Sequence, residues 1–197
     1  MSNVNAPFGF RFLRHLQGVA PNVAMSLRRI AYGNGTAIFN GDPVTSLSTG
    51  YIAQSAAGTT QIAGIFIGCK YVSVSQKRTV WSNYWPGSDA NADVEAYILD
   101  DPNAVFVAQS NGTAIALADV GDNINFAIGS GSTATGISGA TLDQSTILTT
   151  STLPFKIVGY AGGGEFAAVG PGSDPTTAYN WAYVTFNFQD FKSTTGV

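Results

Sequence analysis

Turn signals recur about every 8–12 residues through most of this chain, and the apolar runs between them are too short for helices. Thr36-Ala37-Ile38-Phe39 leads into the turn Asn40-Gly41-Asp42-Pro43. Val44 to Leu47, the turn Ser48-Thr49-Gly50 and Tyr51-Ile52-Ala53 follow. Ile62 to Val74 is apolar but holds Gly64 and Gly68, where bulges or sharp bends are expected. Residues 93–99 and 105–109 flank a turn cluster, Asp100-Asp101-Pro102-Asn103, and Asn111-Gly112 and Gly121-Asp122-Asn123 break up what comes next. Residues 154–160 and 178–188 return to strand character, the latter with Tyr179, Trp181, Tyr183, Phe186 and Phe188. The pattern predicts an all-β fold, a β-barrel or a jelly-roll-like sandwich. The Gly/Ser/Thr-rich residues 129–152 read as a long excursion or an edge hairpin rather than core.

The first 30 residues read differently. Phe8, Phe10 and Phe12 alternate, so an extended segment would carry all three on one side. Charge is uneven too: residues 1–41 hold Arg11, Arg14, Arg28 and Arg29 and no acid, while the remaining five basic residues face all twelve acids and leave −7. The division expected is therefore an extended N-terminal arm, residues 1–30, ahead of a β domain, residues 31–197. Such an arm would lay its phenylalanines on a neighbour and its arginines on acidic groups. The competing reading makes the same segment a strand that closes the domain's own core. Four arginines over 41 residues make a thin footprint for phosphates, so an acidic protein surface is the expected partner and nucleic acid is not.

Composition bears on how the surface is used. Only 11% of residues are charged, against about 25% in ordinary globular proteins, so Ser, Thr, Asn, Gln and Gly must cover the exterior. Few charges repel neighbouring copies, which suits a subunit that works packed against others. No run of 18 apolar residues exists and the first 20 lack a continuous apolar stretch, so neither a membrane span nor a signal peptide is expected. The lone Cys69 forbids an internal disulfide and reads as a small buried hydrophobe.

Chemistry is sparse. His15 is the only histidine and no G-x-S-x-G motif accompanies it, so no catalytic residue is assigned and a surface or interface histidine is expected. One His and one Cys cannot furnish a structural zinc site. Asp89, Asn91 and Asp93 have the spacing of a calcium loop, but Val94 stands where a glycine is needed, and a solvated turn is the expectation. Gly162-Gly163-Gly164-Glu165 lacks the ending of a phosphate-binding loop and reads as a flexible connection. Trp81, Tyr84 and Trp85 could form an aromatic platform for sugar, plug a barrel end or anchor an interface. The expected profile is a non-enzyme with no cofactor and no metal. Its partner-binding candidates are Phe8, Phe10, Arg11, Phe12, Arg14, Arg28, Arg29, Trp81, Tyr84 and Trp85.

Several stretches in order bear a family likeness: Gly9-Phe10-Arg11, Arg14-His15-Leu16-Gln17-Gly18 and Asn40-Gly41-Asp42-Pro43-Val44 come first. Ala63 to Tyr71, Ser82-Asn83-Tyr84-Trp85-Pro86-Gly87, Val94 to Asn103 and Phe155-Lys156-Ile157-Val158-Gly159 follow. Together they resemble the phage capsid decoration, or cement, proteins, with departures at residues 129–152 and 161–176. The resemblance implies a β-barrel or jelly-roll-like fold, a multimer at capsid symmetry axes, the major capsid protein as partner, and no cofactor; the low-charge, aromatic-rich composition itself leads to the expectation of a dimer or trimer. It implies synthesis in the host cytoplasm and residence on the outer capsid surface, with no membrane and no nucleic acid involved. The alternative is a carbohydrate- or receptor-binding β domain of a phage tail appendage.

Overall fold

The computed structural model describes residues 2–18, 25–161, 173–194 and 196. Gly162-Gly163-Gly164-Glu165 lies outside the described residues. The fold is all-β: two antiparallel sheets of six strands pack as a sandwich. In chain order the strands are β1 (Arg11–His15), β2 (Ser26–Ile30), β3 (Pro43–Ser46), β4 (Ile52–Gln54), β5 (Gly64–Ser73) and β6 (Arg78–Ser82). They continue with β7 (Val94–Leu99), β8 (Ala104–Gln109), β9 (Asn123–Ala127), β10 (Thr141–Leu148), β11 (Phe155–Tyr160) and β12 (Trp181–Phe186). Sheet A runs β1-β8-β12-β11-β9-β10. Sheet B runs β2-β7-β5-β3-β4, and β6 continues along the same side of β5 beyond β3.

Period-2 alternation decides what each sheet buries. In sheet A, Ala104, Phe106 and Ala108 of β8, Ile124 and Phe126 of β9, and Ala182, Val184 and Phe186 of β12 point into the main core. Ile62, Ile65 and Leu99 meet them from the sheet B side. The opposite face of sheet B carries Ile30, Val44, Phe66, Cys69, Val94, Ala96 and Ile98, and a second core forms where Ile38, Trp85 and Ala90 cover it from the connections. Sheet B is therefore apolar on both faces over part of its length.

A free N-terminal arm over residues 1–30 is not what the described part of that segment forms. β1 pairs with β8 along sheet A, and β2 pairs with β7 along sheet B in full five-residue register. Upstream, Gln109 Nε2 donates to the Val4 carbonyl and its Oε1 accepts from the Ala6 N–H, pinning residues 4–6 to the same body. The phenylalanine stripe is broken as well, because Gly9 sits in the left-handed region at φ 72° and inverts the alternation. Phe8 turns outward onto Trp181, at 5.2 Å between ring centroids, and Phe10 enters the core, stacked on Phe155 at 4.5 Å. Phe12 packs edge-on against Phe106. A side chain at Gly9 would have its Cβ 2.7 Å from Ser138 and 2.9 Å from the Gly41 carbonyl, so the turn accepts glycine alone.

Residues 129–152 divide. β10 is the outermost strand of sheet A and closes a hairpin with β9, as an edge reading expects, yet Ala140 and Leu142 are fully buried in the main core. Cys69 is buried, its thiol facing the Tyr84 carbonyl at 3.5 Å, and desolvation pushes its pKa up to about 12. At pH 8 that lowers the thiolate fraction on the order of a thousandfold relative to a free thiol. The folded protein should resist a thiol reagent at pH 8 and label fully in denaturant. Free-thiol labelling rates in the native protein would contradict this placement.

Candidate functional site

Most of the candidate partner-binding residues serve the chain's own interior. Phe10 and Trp85 are buried, and the Trp85 indole N–H donates to the Asn34 carbonyl at 3.2 Å. Tyr84 lies flat against Phe39, with centroids 5.4 Å apart and planes within 4°. The platform of Trp81, Tyr84 and Trp85 is thus reduced to Trp81. Arg11 donates from Nε to the Phe8 carbonyl and from Nη1 to Asn40 Oδ1 at 2.7 Å, and its partial burial presses its pKa down. Arg14 donates to the carbonyl of His15. Arg28 faces the buried Asp100 at 3.6 Å and covers the Phe191 ring at 5.8 Å. His15 is not at the surface but 6% exposed, with Nδ1 3.1 Å from Asp101 Oδ2.

The possible calcium loop is occupied by internal hydrogen bonds. Asp89 accepts from the Ser73 and Ser75 hydroxyls and the Ser75 N–H. Asp93 accepts from the Tyr32 N–H at 3.0 Å and the Tyr51 hydroxyl at 2.9 Å. Those donors stabilise the carboxylate forms and hold both groups below the ordinary aspartate range. Among the described residues no three His, Cys, Asp or Glu side chains gather as a metal cluster. Among the same residues, no helix is long and apolar enough to cross a membrane.

Two of the candidates, Arg29 and Trp81, do share an exposed face, the part of sheet B's core-facing side that extends beyond sheet A. Alternation along β7 explains how it arises. Leu99, Tyr97 and Glu95 lie on one side of the strand, and burial falls along them: Leu99 is in the main core, Tyr97 is half-buried and Glu95 reaches solvent. Sheet A covers one end of this surface and leaves the other open. On β5 the same change runs from buried Ile65 through half-buried Ile67 to Lys70 and the exposed Val72, with a bulge between Phe66 and Gly68.

Cross-strand register then composes the open half. Arg29 stands opposite Glu95, Glu95 opposite Lys70, and Lys70 opposite Trp81. In the next row Leu27 is opposite Tyr97 and Tyr97 opposite Gly68. Because Gly68 has no side chain, Trp81 reaches across β5 to stack on Tyr97, at 5.7 Å and within 13° of parallel. Lys70 Nζ lies 5.3 Å from the indole centroid and 3.2 Å from Glu95 Oε2, a fixed cation between a ring and a carboxylate. Trp81 nevertheless remains 68% exposed, Leu27 57% and Met25 48%. Beside the stacked rings a cleft of about 340 Å³ is lined by Met25, Ile67, Gly68, Trp81, Asn83 and Tyr97.

Sequence reasoning named Trp81 and Arg29 but not Tyr97, Leu27, Met25 or Lys70. The alternation in Val94-Glu95-Ala96-Tyr97-Ile98 carried the signal for Tyr97, since it separates Tyr97 from the three apolar residues that share the buried face. Which strands neighbour β7 is not written in its own residues.

Fold and surface together define a class: an all-β sandwich with an open aromatic face and few charges. Comparison with protein-family models, with curated proteins and with solved structures finds no match to this chain.

Proposed function

We propose that this chain is a cement protein of a phage capsid, binding the outer surface of the assembled shell and stabilising it. The observation that carries the reading is the open half of sheet B, where Met25, Leu27, Tyr97 and Trp81 form an apolar surface on a chain with only 11% charged residues. A patch of that kind on a rigid β scaffold suits lasting contact with another protein. The ordered series of motifs that resembles decoration proteins adds support from the sequence side. The major capsid protein is the proposed partner, with the chain acting as a multimer on the virion exterior.

The mechanism is linkage. A protein that binds assembled capsomers and not dissociated ones shifts the equilibrium toward the shell, by about 2.7 kcal/mol per site at a hundredfold excess over Kd. Adding the purified chain to shells that lack it should raise their dissociation temperature, and the rise should saturate at a fixed stoichiometry. No shift at saturating concentration would contradict the proposal.

A further inference from the structure

We infer that Asn111 is a site of self-modification: the Gly112 backbone nitrogen closes on the Asn111 side chain, ammonia leaves, and water opens the ring to aspartate or isoaspartate. The inference is independent of the cement reading and concerns the seam where sheet A meets its own far edge.

Asn111 follows β8 and lies against the outermost strand, β10. Its N–H donates to the Leu142 carbonyl at 2.9 Å, beside a parallel bridge between Ser110 and Leu142, so the chain leaving β8 meets the far edge of its own sheet. The Asn111 side chain completes the seam: Oδ1 accepts from the Gln144 N–H at 3.2 Å, and Nδ2 donates to Asp143 Oδ1 at 3.1 Å. In the reaction a bond forms from Gly112 N to Asn111 Cγ. The Gly112 proton passes through water to Nδ2, and the Cγ–Nδ2 bond breaks to release ammonia. Negative charge develops on Oδ1 as the nitrogen adds, and positive charge on Nδ2 as it leaves. The Gln144 N–H stands at the first and the Asp143 carboxylate at the second, so both hydrogen bonds strengthen along the path. Water then adds to either carbonyl of the imide, forming a carboxyl group and restoring the Gly112 N–H. Glycine leaves the attack unhindered: position 112 borders open space, and its N–H has no partner among the described residues.

The other two Asn-Gly pairs lack this combination. Gly41 is buried with its N–H held by the Phe66 carbonyl at 2.8 Å, and Asn40 Nδ2 faces the neutral Ile67 carbonyl. Asn34 Oδ1 accepts from the Thr36 N–H, but among the described residues no carboxylate accepts from its Nδ2. At Asn111 the product exchanges a donor for a second carboxyl group facing Asp143, so the modified seam loses a hydrogen bond and gains like-charge repulsion.

Ageing the purified wild-type protein at mildly alkaline pH, well below its melting temperature, and mapping its peptides by mass spectrometry tests the assignment. Amide-to-acid conversion, with its isoaspartate isomer, should appear at Asn111 well before Asn34 or Asn40. It should run at least as fast in the folded protein as in the same chain held in denaturant, because the seam assists it. Gly112→Ala should stay folded, since nothing crowds that position, and should nearly abolish conversion. Asp143→Asn removes the charge beside the leaving nitrogen and should slow conversion roughly threefold or more. Folded protein in which Asn111 stays intact after the denatured chain has converted it would overturn the inference, and that comparison needs no variant to fold. So would conversion at Asn34 or Asn40 ahead of Asn111. A folded Asp143→Asn that converts at the wild-type rate would overturn the role given to the seam.

Discussion

Deleting residues 2–14 should leave the protein unable to fold. The deletion removes most of β1, which pairs with β8 at one edge of sheet A, and with it Phe10, which is 1% exposed among Phe126 and Phe155. Truncation of a buried phenylalanine costs about 3–5 kcal/mol in the transfer of its atoms and the cavity left behind. Phe12 and the anchoring of residues 4–6 by Gln109 go as well. Against a total stability of about 5–15 kcal/mol, losses of this size leave no folded population of use. Phe10→Ala alone should survive as a folded but weakened protein. A truncated chain with a cooperative, near-wild-type melting transition would show that the segment is an appendage after all.

Asp42→Ala should be the most damaging single substitution of a polar residue. Asp42 is fully buried and accepts from the Phe39 N–H at 2.8 Å, from Gln54 Nε2 at 2.7 Å and from the Ser138 hydroxyl at 2.5 Å. It binds the turn before β3 to β4 and to the segment leading into β10, at the point where Phe10 N–H donates to the Gly41 carbonyl. Alanine would strand two buried donors at about 1–3 kcal/mol each and a half-buried third, so a loss of about 2–6 kcal/mol and a fall in Tm of roughly 10 °C are expected. A fall of a degree or two would mean that the junction relaxes around the loss.

The same carboxyl gives stability a distinctive pH dependence. Desolvation raises the Asp42 pKa above its ordinary value, and the three donors offset only part of that. The folded state therefore holds the proton more tightly than the unfolded chain. The resulting stabilisation is complete below the unfolded value and is lost as pH rises through the raised folded one. Asp89, Asp93 and Asp174 act in the opposite sense: hydrogen bonds lower their pKa values, and what they contribute is lost as pH falls through the depressed values. Asp42→Asn removes only the first effect. The gap between wild type and that variant should be widest in acid and narrow toward neutrality, and a gap independent of pH would contradict a raised Asp42.

Much of the fold was legible in the strands that bury one face cleanly. Residues 93–99, 105–109 and 154–160 match β7, β8 and β11 to within a residue at either end, because β-branched and aromatic side chains alternate there between defined turns. β6, β9 and β10 were harder to read. Thr141-Leu142-Asp143-Gln144-Ser145 mixes polar residues on both sides, as an outermost strand can when few of its residues, here Leu142 and Ile147, touch the core. β9 begins at Asn123, which resembles part of a turn but donates across to the Thr150 carbonyl at 3.0 Å. The phenylalanine stripe misled because alternation holds only while the backbone stays extended, and the positive φ of Gly9 is invisible in the letters.

The candidate site was legible one residue at a time and not as a surface. Trp81 could be suspected from its neighbours Tyr84 and Trp85, yet those two turn inward, and its true companion, Tyr97, lies 16 positions away in the chain. What brings them together is the order β7-β5-β6, the register of each pair, and one glycine that leaves room between them.

The central claim is that this chain coats an assembled shell, and the most direct measurement is its copy number in purified virions. Quantitative mass spectrometry against the major capsid protein should return on the order of hundreds of copies, in a simple ratio set by the shell's symmetry. A handful of copies per particle, or none, would contradict the account.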